Sequence, residues 1–596
     1  MTEAAVDVGK LPEWNLDDLY PAIDAPALQD DITAAAKESK AFAARYQGKL
    51  ATLEGAALGA AIAIFEAIQD RLGRIGSYAQ LKRAANLIDP AVARFAQDIE
   101  EKLTDISGDL LFFGLEINRL PDDVLDAQLK APAAAHYASW LRDVRMYRAH
   151  QLSDELEKML LEKRVTGASA WNRLYDETLA ALRVPVGSED LGLEEALHRL
   201  SDIDRGKREA AAKALGKVFA DNARIFSLVT NTLAKDKEIE DRWRAYPQPW
   251  SARHLSNQVE PEVVDALTDA VRAAFPQLSH RYYALKAKWL GLEKLEHWDR
   301  NAPLPSADDR IIPWTDARDL VLEAYGQFSP DLAALGRRFF DNAWIDAAMR
   351  PGKAGGAFAH PTVPSAHPYL LLNYQGKARD VMTLAHELGH GVHQLLAAPQ
   401  GALLADTPLT LAETASVFGE QLAFRALLSR ESDPARRRML LAAKVEDMLN
   451  TVVRQIAFYE FERRIHAERR QGELTAERIG EIWLAVQTES LGPAFHFTPD
   501  YATYWSYIPH FIHSPFYVYA YAFGDCLVNA LYAVYQGAEK GFQEKYFAML
   551  RAGGTLRHKE LLAPFGLDAG DPAFWSRGLS VIAGFIDELE AAEKTA

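Results

Sequence analysis

ARDVMTLAHELGHGVHQLLA, residues 378–397, is the stretch on which the reading of this chain turns. Asp380 can cap a helix beginning at Val381, and that helix carries His386-Glu387-Leu388-Gly389-His390. Positions i and i+4 are rotated by about 40° at 3.6 residues per turn, so both imidazoles leave one face and can bind a single Zn2+. Glu387 stands about 100° round the helix, one residue on, where its carboxylate can reach a zinc-bound water and activate it.

Upstream lies RPGKAGGAFAHPTVPSAHPYLLLNYQG, residues 350–376, rich in Gly and Pro around two β-like runs, Gly356 to Ala359 and Tyr369 to Tyr374. A small β-sheet beside the HExxH helix is expected. Elsewhere helical periodicity dominates, in Ala-, Leu-, Glu-, Lys- and Arg-rich segments. The fold class read from this is mainly α, with long helices expected over Pro90–Glu116, Ser153–Leu182 and Lys207–Trp243. The segment VPVGSEDLG, residues 184–192, interrupts the pattern. It suggests an N-terminal helical domain over 1–195 and a catalytic domain over 196–596.

A catalytic zinc takes a third protein ligand and keeps one position open. In the HExxHxxGxxH arrangement residues 393 and 396 would be Gly and His, but they are His393 and Leu396. His393 shares the helix face, yet helix rise carries it about 10 Å from His386, a distance that suits packing or support of a ligand better than ligation. The better candidate is in TPLTLAETASVFGEQLAF, residues 407–424, where Thr407-Pro408 starts a second helix and Glu413 follows, 23 residues past His390. That is the gluzincin pattern, a His2Glu site. Ser416 and Glu420, at i+3 and i+7 from Glu413, share its face and can orient the imidazoles from behind. Nine of the 16 histidines, at 360, 367, 386, 390, 393, 466, 496, 510 and 513, fall in this quarter of the chain, which suits metal or proton-transfer chemistry.

Composition narrows the classes further. At 596 residues and 66.3 kDa, with 49% apolar and 25% charged residues, the chain is of enzyme size and globular. With 66 basic against 83 acidic residues the net charge is −17, which repels phosphate backbones and argues against a nucleic-acid partner. The single cysteine, Cys526, excludes an intramolecular disulfide and thiolate metal clusters and fits a reducing compartment. The opening segment, MTEAAVDVGKLPEWNLDDLYPAID, is acidic where a signal peptide needs basic residues and an apolar run, so mature, cytoplasmic sequence is expected. The longest apolar stretches fall short of the roughly 20 residues that span a bilayer. There is no Gly-rich phosphate loop and no GxSxG elbow.

DVMTLAHELGHGVHQ followed by AETASVFGE resembles the oligoendopeptidase F branch of the thimet oligopeptidase family of zinc peptidases. So do EWNLDDLY (13–20), HWDRNAPL (297–304), KAGGAFAH (353–360) and IPHFIHSPFYVYAYAFG (508–524), whose order covers most of the chain. The resemblance implies a helical clam-shell with a deep substrate channel, one zinc at its floor, and cleavage of internal bonds in short oligopeptides. It makes His386, His390 and Glu413 the ligands and Glu387 the general base. It also implies a helper His and Tyr for the oxyanion, for which His510, His513, Tyr517, Tyr519 and Tyr521 compete. A helix started by Ser514-Pro515 would set Tyr517 and Tyr521 on one face and Tyr519 about 160° away. His510, Tyr517 and Tyr519 are taken as catalytic candidates and His513 and Tyr521 as substrate-binding ones. Gly356, Ala357 and Phe358 are expected to hold the substrate backbone by β-augmentation, the glycines allowing close approach. Two readings compete with a zinc endopeptidase acting on oligopeptides: a zinc metallocarboxypeptidase on a similar scaffold, and a peptide-binding protein with a decayed site.

Overall fold

The computed structural model describes residues 8–304, 310–537 and 540–595; the first seven residues of the acidic opening segment lie outside them. The chain is mainly α-helical, as expected, and divides into two compact units, each discontinuous in sequence. The first comprises Met1–Arg148, Asp309–Arg430 and Val534–Leu567; the second comprises Ala149–Asp308, Glu431–Ala533 and Asp568–Ala596. Residues 184–192 form an antiparallel hairpin of Arg183–Val186 with Glu189–Gly192, inside the second unit. Among the described residues no helix is long and apolar enough to cross a membrane.

The three long helices expected from periodicity are each broken in two. Pro90–Gly108 is followed by Leu111–Arg119, Asp154–Arg164 by Ala168–Ala181, and Arg205–Asp221 by Ala223–Trp243. The breaks fall at Gly108, at Gly167 and at Asn222, residues that cost helix free energy or bond their own backbone instead. Asn222 Nδ2 donates to the Val218 carbonyl at 2.9 Å and closes its helix. At Asp89 the sequence signal holds: its carboxylate accepts from Ala91 N at 2.8 Å, with Pro90 in the first turn.

In the first unit the N-terminal helices bury an aromatic core in which Phe113 meets Phe42 edge-on at 5.0 Å and stacks on Trp140 at 6.2 Å. The small sheet has three strands rather than two. Tyr369–Leu371 is central and fully buried, Ile345–Asp346 runs parallel to it on one side, and Phe358–His360 runs antiparallel on the other. The register pairs Phe358 with Leu371 and His360 with Tyr369, so Phe358–His360 is an edge strand. The EWNLDDLY segment braces this sheet. Asn15 N donates to the Ala343 carbonyl at 3.0 Å, the Asn15 carbonyl accepts from Tyr369 Oη at 2.8 Å, and Asp18 pairs with His367 at 2.8 Å. In the second unit Asp299 of HWDRNAPL is fully buried and holds Arg205 and Arg208 at 2.8 and 3.0 Å, which ties that motif to helix Arg205–Asp221.

Candidate metal centre

The helix carrying HExxH spans Ala378–Ala397, three residues earlier than expected. Asp380 therefore sits inside its first turn and caps it from there, accepting from Lys377 N at 3.0 Å and Gln375 N at 2.8 Å. From the far side Tyr325 Oη donates to the Ala385 carbonyl at 2.6 Å, fixing the turn just before His386.

Glu413 lies not within a second helix but in the turn between the single helical turn Leu409–Ala412 and helix Ser416–Arg430. Tertiary contacts make that turn. Gly389 faces it so closely that an added Cβ would stand 2.4 Å from the Ala415 carbonyl oxygen and 2.6 Å from Ser416 Cα. Tyr546 Oη donates to the Thr414 carbonyl at 2.9 Å, and His393, buried one helical turn beyond His390, bonds the Ala412 backbone. His393 thus supports the turn that carries Glu413 and stands outside the His386–His390–Glu413 group. Burial pushes its pKa down to about 4, with His390 adding to the effect, so the ring is neutral.

The consequence is convergence. His386 Nε2 and His390 Nε2 lie 3.3 and 3.4 Å from the same oxygen, Glu413 Oε2, and one ligand atom from each residue lies within 4.8 Å of the others. A tetrahedral zinc with bonds of about 2.0–2.1 Å separates its ligand atoms by about 3.3–3.4 Å, so both imidazole-to-carboxylate spacings fit that ion. The three side chains remain 19–27% exposed, which leaves one side of the cluster accessible. Burial opposes charge on His386, but the Glu413 and Glu420 carboxylates outweigh it and hold its pKa well above the histidine range. Burial likewise opposes ionisation of Glu413, and the two imidazoles override it, holding its pKa well below the carboxylate range. A divalent ion would take over the role of that positive charge.

Two further contacts brace these side chains. Glu420 Oε2 lies 3.3 Å from His386 Nδ1, a contact that would keep a proton on Nδ1 and leave Nε2 for a metal. Ser416 was expected to act on an imidazole; instead its Oγ donates to Glu413 Oε2 at 2.6 Å, because the turn brings the two side chains together. Glu387, only 8% exposed, projects beside the cluster. Burial raises its pKa, and the imidazoles and the Ala359 backbone amide pull it back.

Ala359 belongs to the edge strand, so the sheet and the general-base candidate meet. Gly356 precedes that strand at φ +74°, an angle glycine takes without strain, and the space where a Cβ would stand is open. Asn373 Nδ2 holds the bend, donating to the Gly356 and Ala354 carbonyls at 2.9 and 3.0 Å. Ala357 and Phe358 follow, half-buried, with the Phe358 ring 6.5 Å from that of Trp14.

The aromatic segment 508–524 belongs to the second unit. Its helix does not start at Ser514-Pro515. His510–His513 form one turn, Phe516 takes φ +60°, and the helix proper is Tyr519–Gln536. His510, Tyr517 and Tyr521 come together, with His510 Nε2 3.3 Å from Tyr521 Oη and the two tyrosine rings 5.2 Å apart. Tyr519 points away from them. It is fully buried, its hydroxyl shared by His254 Nδ1 at 3.0 Å and Asn257 Nδ2 at 2.9 Å, so that hydroxyl is committed to the core. His513 pairs with Asp176 at 2.8 Å.

Comparison with known proteins bears on the whole chain. A family model described as peptidase family M3 matches residues 331–581, and one described as oligopeptidase F matches residues 116–183. Oligopeptidase PepF of Bacillus subtilis (strain 168) is 26% identical over 601 residues, 97% of this chain and 86% of that protein. An oligoendopeptidase F homolog of Lactococcus lactis subsp. lactis (strain IL1403) is 28% identical over 74% of each chain. Oligoendopeptidase-F from Enterococcus faecium superposes with a TM-score of 0.70 at 24% identity over 96% of this chain and 98% of that one. A Chlamydophila abortus structure superposes with a TM-score of 0.85 at 22% identity over 97% and 98%. These two are likenesses of fold.

Proposed function

Since the chain belongs to peptidase family M3, on its oligoendopeptidase F branch, and is a metallo-oligopeptidase, we propose that its metal is zinc and that it hydrolyses internal bonds of short peptides. The observation that carries the proposal is the meeting of His386 Nε2 and His390 Nε2 on one Glu413 oxygen, with Glu387 buried on the same helix. In this reading His386, His390 and Glu413 hold one zinc per chain, Glu420 fixes the His386 tautomer and Ser416 the Glu413 carboxylate. When bound, zinc supplies the Lewis acidity that brings the pKa of water to about 7.

Glu387 then does the proton work. Its carboxylate takes the proton of the attacking water and returns it to the amide nitrogen as the peptide bond breaks. Burial keeps that carboxyl's pKa above its ordinary value, so it can hold the proton between the two steps. Phe358–His360, an edge strand, offers the Ala359 carbonyl on its outer side to an extended substrate backbone, the Ala359 amide already meeting Glu387, and Gly356 and Ala357 lead into it. Support for internal cleavage comes from the relatives named oligoendopeptidase F. A cytoplasmic setting belongs to the same proposal, in keeping with a single, buried, free cysteine at Cys526.

Graded peptides test it. Peptides of roughly 5 to 20 residues should be cut internally and folded proteins spared, since strand addition needs an extended backbone. Loss of single residues from one end, read by mass spectrometry, would instead identify an exopeptidase.

A further inference from the structure

Away from the metal centre, four helices of the second unit, Ser279–Trp289, Pro434–Thr451, Val453–Arg469 and Ala476–Leu491, help enclose a small cavity. Its polar lining is Tyr283, Arg300, Asn450, Arg454, Gln487 and Ser490, and no carboxylate is among the lining residues. Two guanidinium groups therefore share one cavity without a counter-charge in its wall.

Neither arginine forms an ion pair among the described residues. Arg300 Nε reaches only Asn301 Oδ1, at 3.4 Å. Arg454 lies over the Phe458 ring at 4.9 Å and donates from Nη2 to Tyr507 Oη at 3.3 Å, while its Nε is buried with no protein partner. Nearby acids are committed elsewhere: Glu446 to Lys286 Nζ and Tyr282 Oη, Asp299 to Arg205 and Arg208, and Glu489 to Arg272 and Arg464. Gln487 is 1% exposed; its Oε1 accepts from Tyr501 Oη at 3.3 Å and its Nε2 has no protein partner.

Arginine cannot relieve such a site by losing its proton, as a lysine or histidine would. Two like charges in a partly dehydrated wall repel, and each unmatched buried donor is destabilising. An anion placed among these donors reverses both penalties. The cavity has room for roughly one water-sized guest, which excludes a peptide terminus or an organic phosphate. We propose that this cavity is a binding site for one small inorganic anion of halide size, held by the guanidinium groups of Arg300 and Arg454 and by Gln487 Nε2. The anion would cross-link the four helices, so the proposal concerns the folded state of the second unit and stands independently of the peptidase reading.

Bromide is the direct probe. Crystals of the zinc-loaded full chain soaked in sodium bromide should show an anomalous peak between Arg300, Arg454 and Gln487 Nε2; absence of a peak there overturns the proposal. In solution, replacing sodium gluconate by sodium chloride at constant ionic strength should raise the melting temperature of the wild type by about 2 °C. Arg454→Met should abolish that rise. Gln487→Glu supplies a tethered carboxylate in place of the free ion, so it should melt higher in gluconate and respond little to chloride. A Gln487→Glu protein that gains as much from chloride as the wild type would also contradict the site.

Discussion

Gly389 and Ala415 touch so closely that the backbone of the HExxH helix rests on the turn carrying Glu413: a Cβ on Gly389 would lie 2.4 Å from the Ala415 carbonyl oxygen. Glu413 is thus placed from the helix that bears His386 and His390. Gly389→Ala must push the turn away, since the clash is with backbone rather than with a flexible side chain. It should cost about 1–3 kcal/mol of stability and weaken metal binding about 10- to 100-fold, as loss of ligand support does. Competition with a chelator reads the second effect; wild-type affinity in a folded Gly389→Ala protein would show that the contact does not place the ligand.

Ser416 and Glu413 separate support from ligation. Glu413→Gln removes a charged ligand and should lower zinc affinity more than Ser416→Ala, which removes only the 2.6 Å bond to Oε2 and should cost about 10- to 100-fold. Full zinc content in Glu413→Gln would make Glu420 or another group the ligand.

Among the tyrosines of the 508–524 segment the structure distinguishes two kinds. If the helper role implied by the family belongs to His510, Tyr517 and Tyr521, which stand together, then Phe at either tyrosine should lower kcat and kcat/KM together, by about 100- to 1000-fold for an oxyanion donor, with zinc content unchanged. Tyr519→Phe should instead reduce stability by about 1–3 kcal/mol, because His254 and Asn257 lose their shared partner. Wild-type kcat in the Tyr517 and Tyr521 variants would confine the segment to packing.

Stability should peak near pH 6.5. Burial pushes the pKa values of His254 and His297 down to about 4 and that of His466 to about 3. The unfolded chain, titrating near 6.5, takes up these protons first, so the stability these groups contribute is present above pH 6.5 and lost as pH falls toward 4. Glu462 acts oppositely: burial raises its pKa to about 8, so its contribution is present below about pH 4.5 and lost as pH rises to 8. Urea midpoints measured against pH should fall on both sides, and Glu462→Gln should flatten the alkaline side only. An unchanged alkaline limb in Glu462→Gln would show that Glu462 titrates normally.

The parts of the site that were legible in the sequence are those governed by local geometry. His386, Glu387 and His390 follow from helix rotation alone, whereas the separation of Tyr519 from Tyr517 does not, since Tyr517 stands before the helix Tyr519–Gln536. Glu413 is recognisable as a candidate, but its turn is set by Gly389, His393 and Tyr546, contacts that no local periodicity contains. For the same reason the target of Ser416 was misplaced by one group. Strand Ile345–Asp346, two residues long, is too short to leave an alternating signal. Gly108, Gly167 and Asn222 were present as helix breakers yet were outweighed by the apolar period running across them. The cavity between Arg300 and Arg454 is assembled from residues 154 positions apart and exists only in the fold.

The central claim is that one metal held by His386, His390 and Glu413, with Glu387 as base, cuts peptides internally. Its most direct test is to titrate zinc into chelator-treated protein while following cleavage of a peptide of about ten residues blocked at both ends. Activity should rise linearly and break at one zinc per chain, with internal products only. Glu387→Gln should bind the same single zinc and turn over about 100- to 10,000-fold more slowly. Cleavage before any metal is added, an intact blocked peptide at full zinc loading, or an active Glu387→Gln protein would contradict the account.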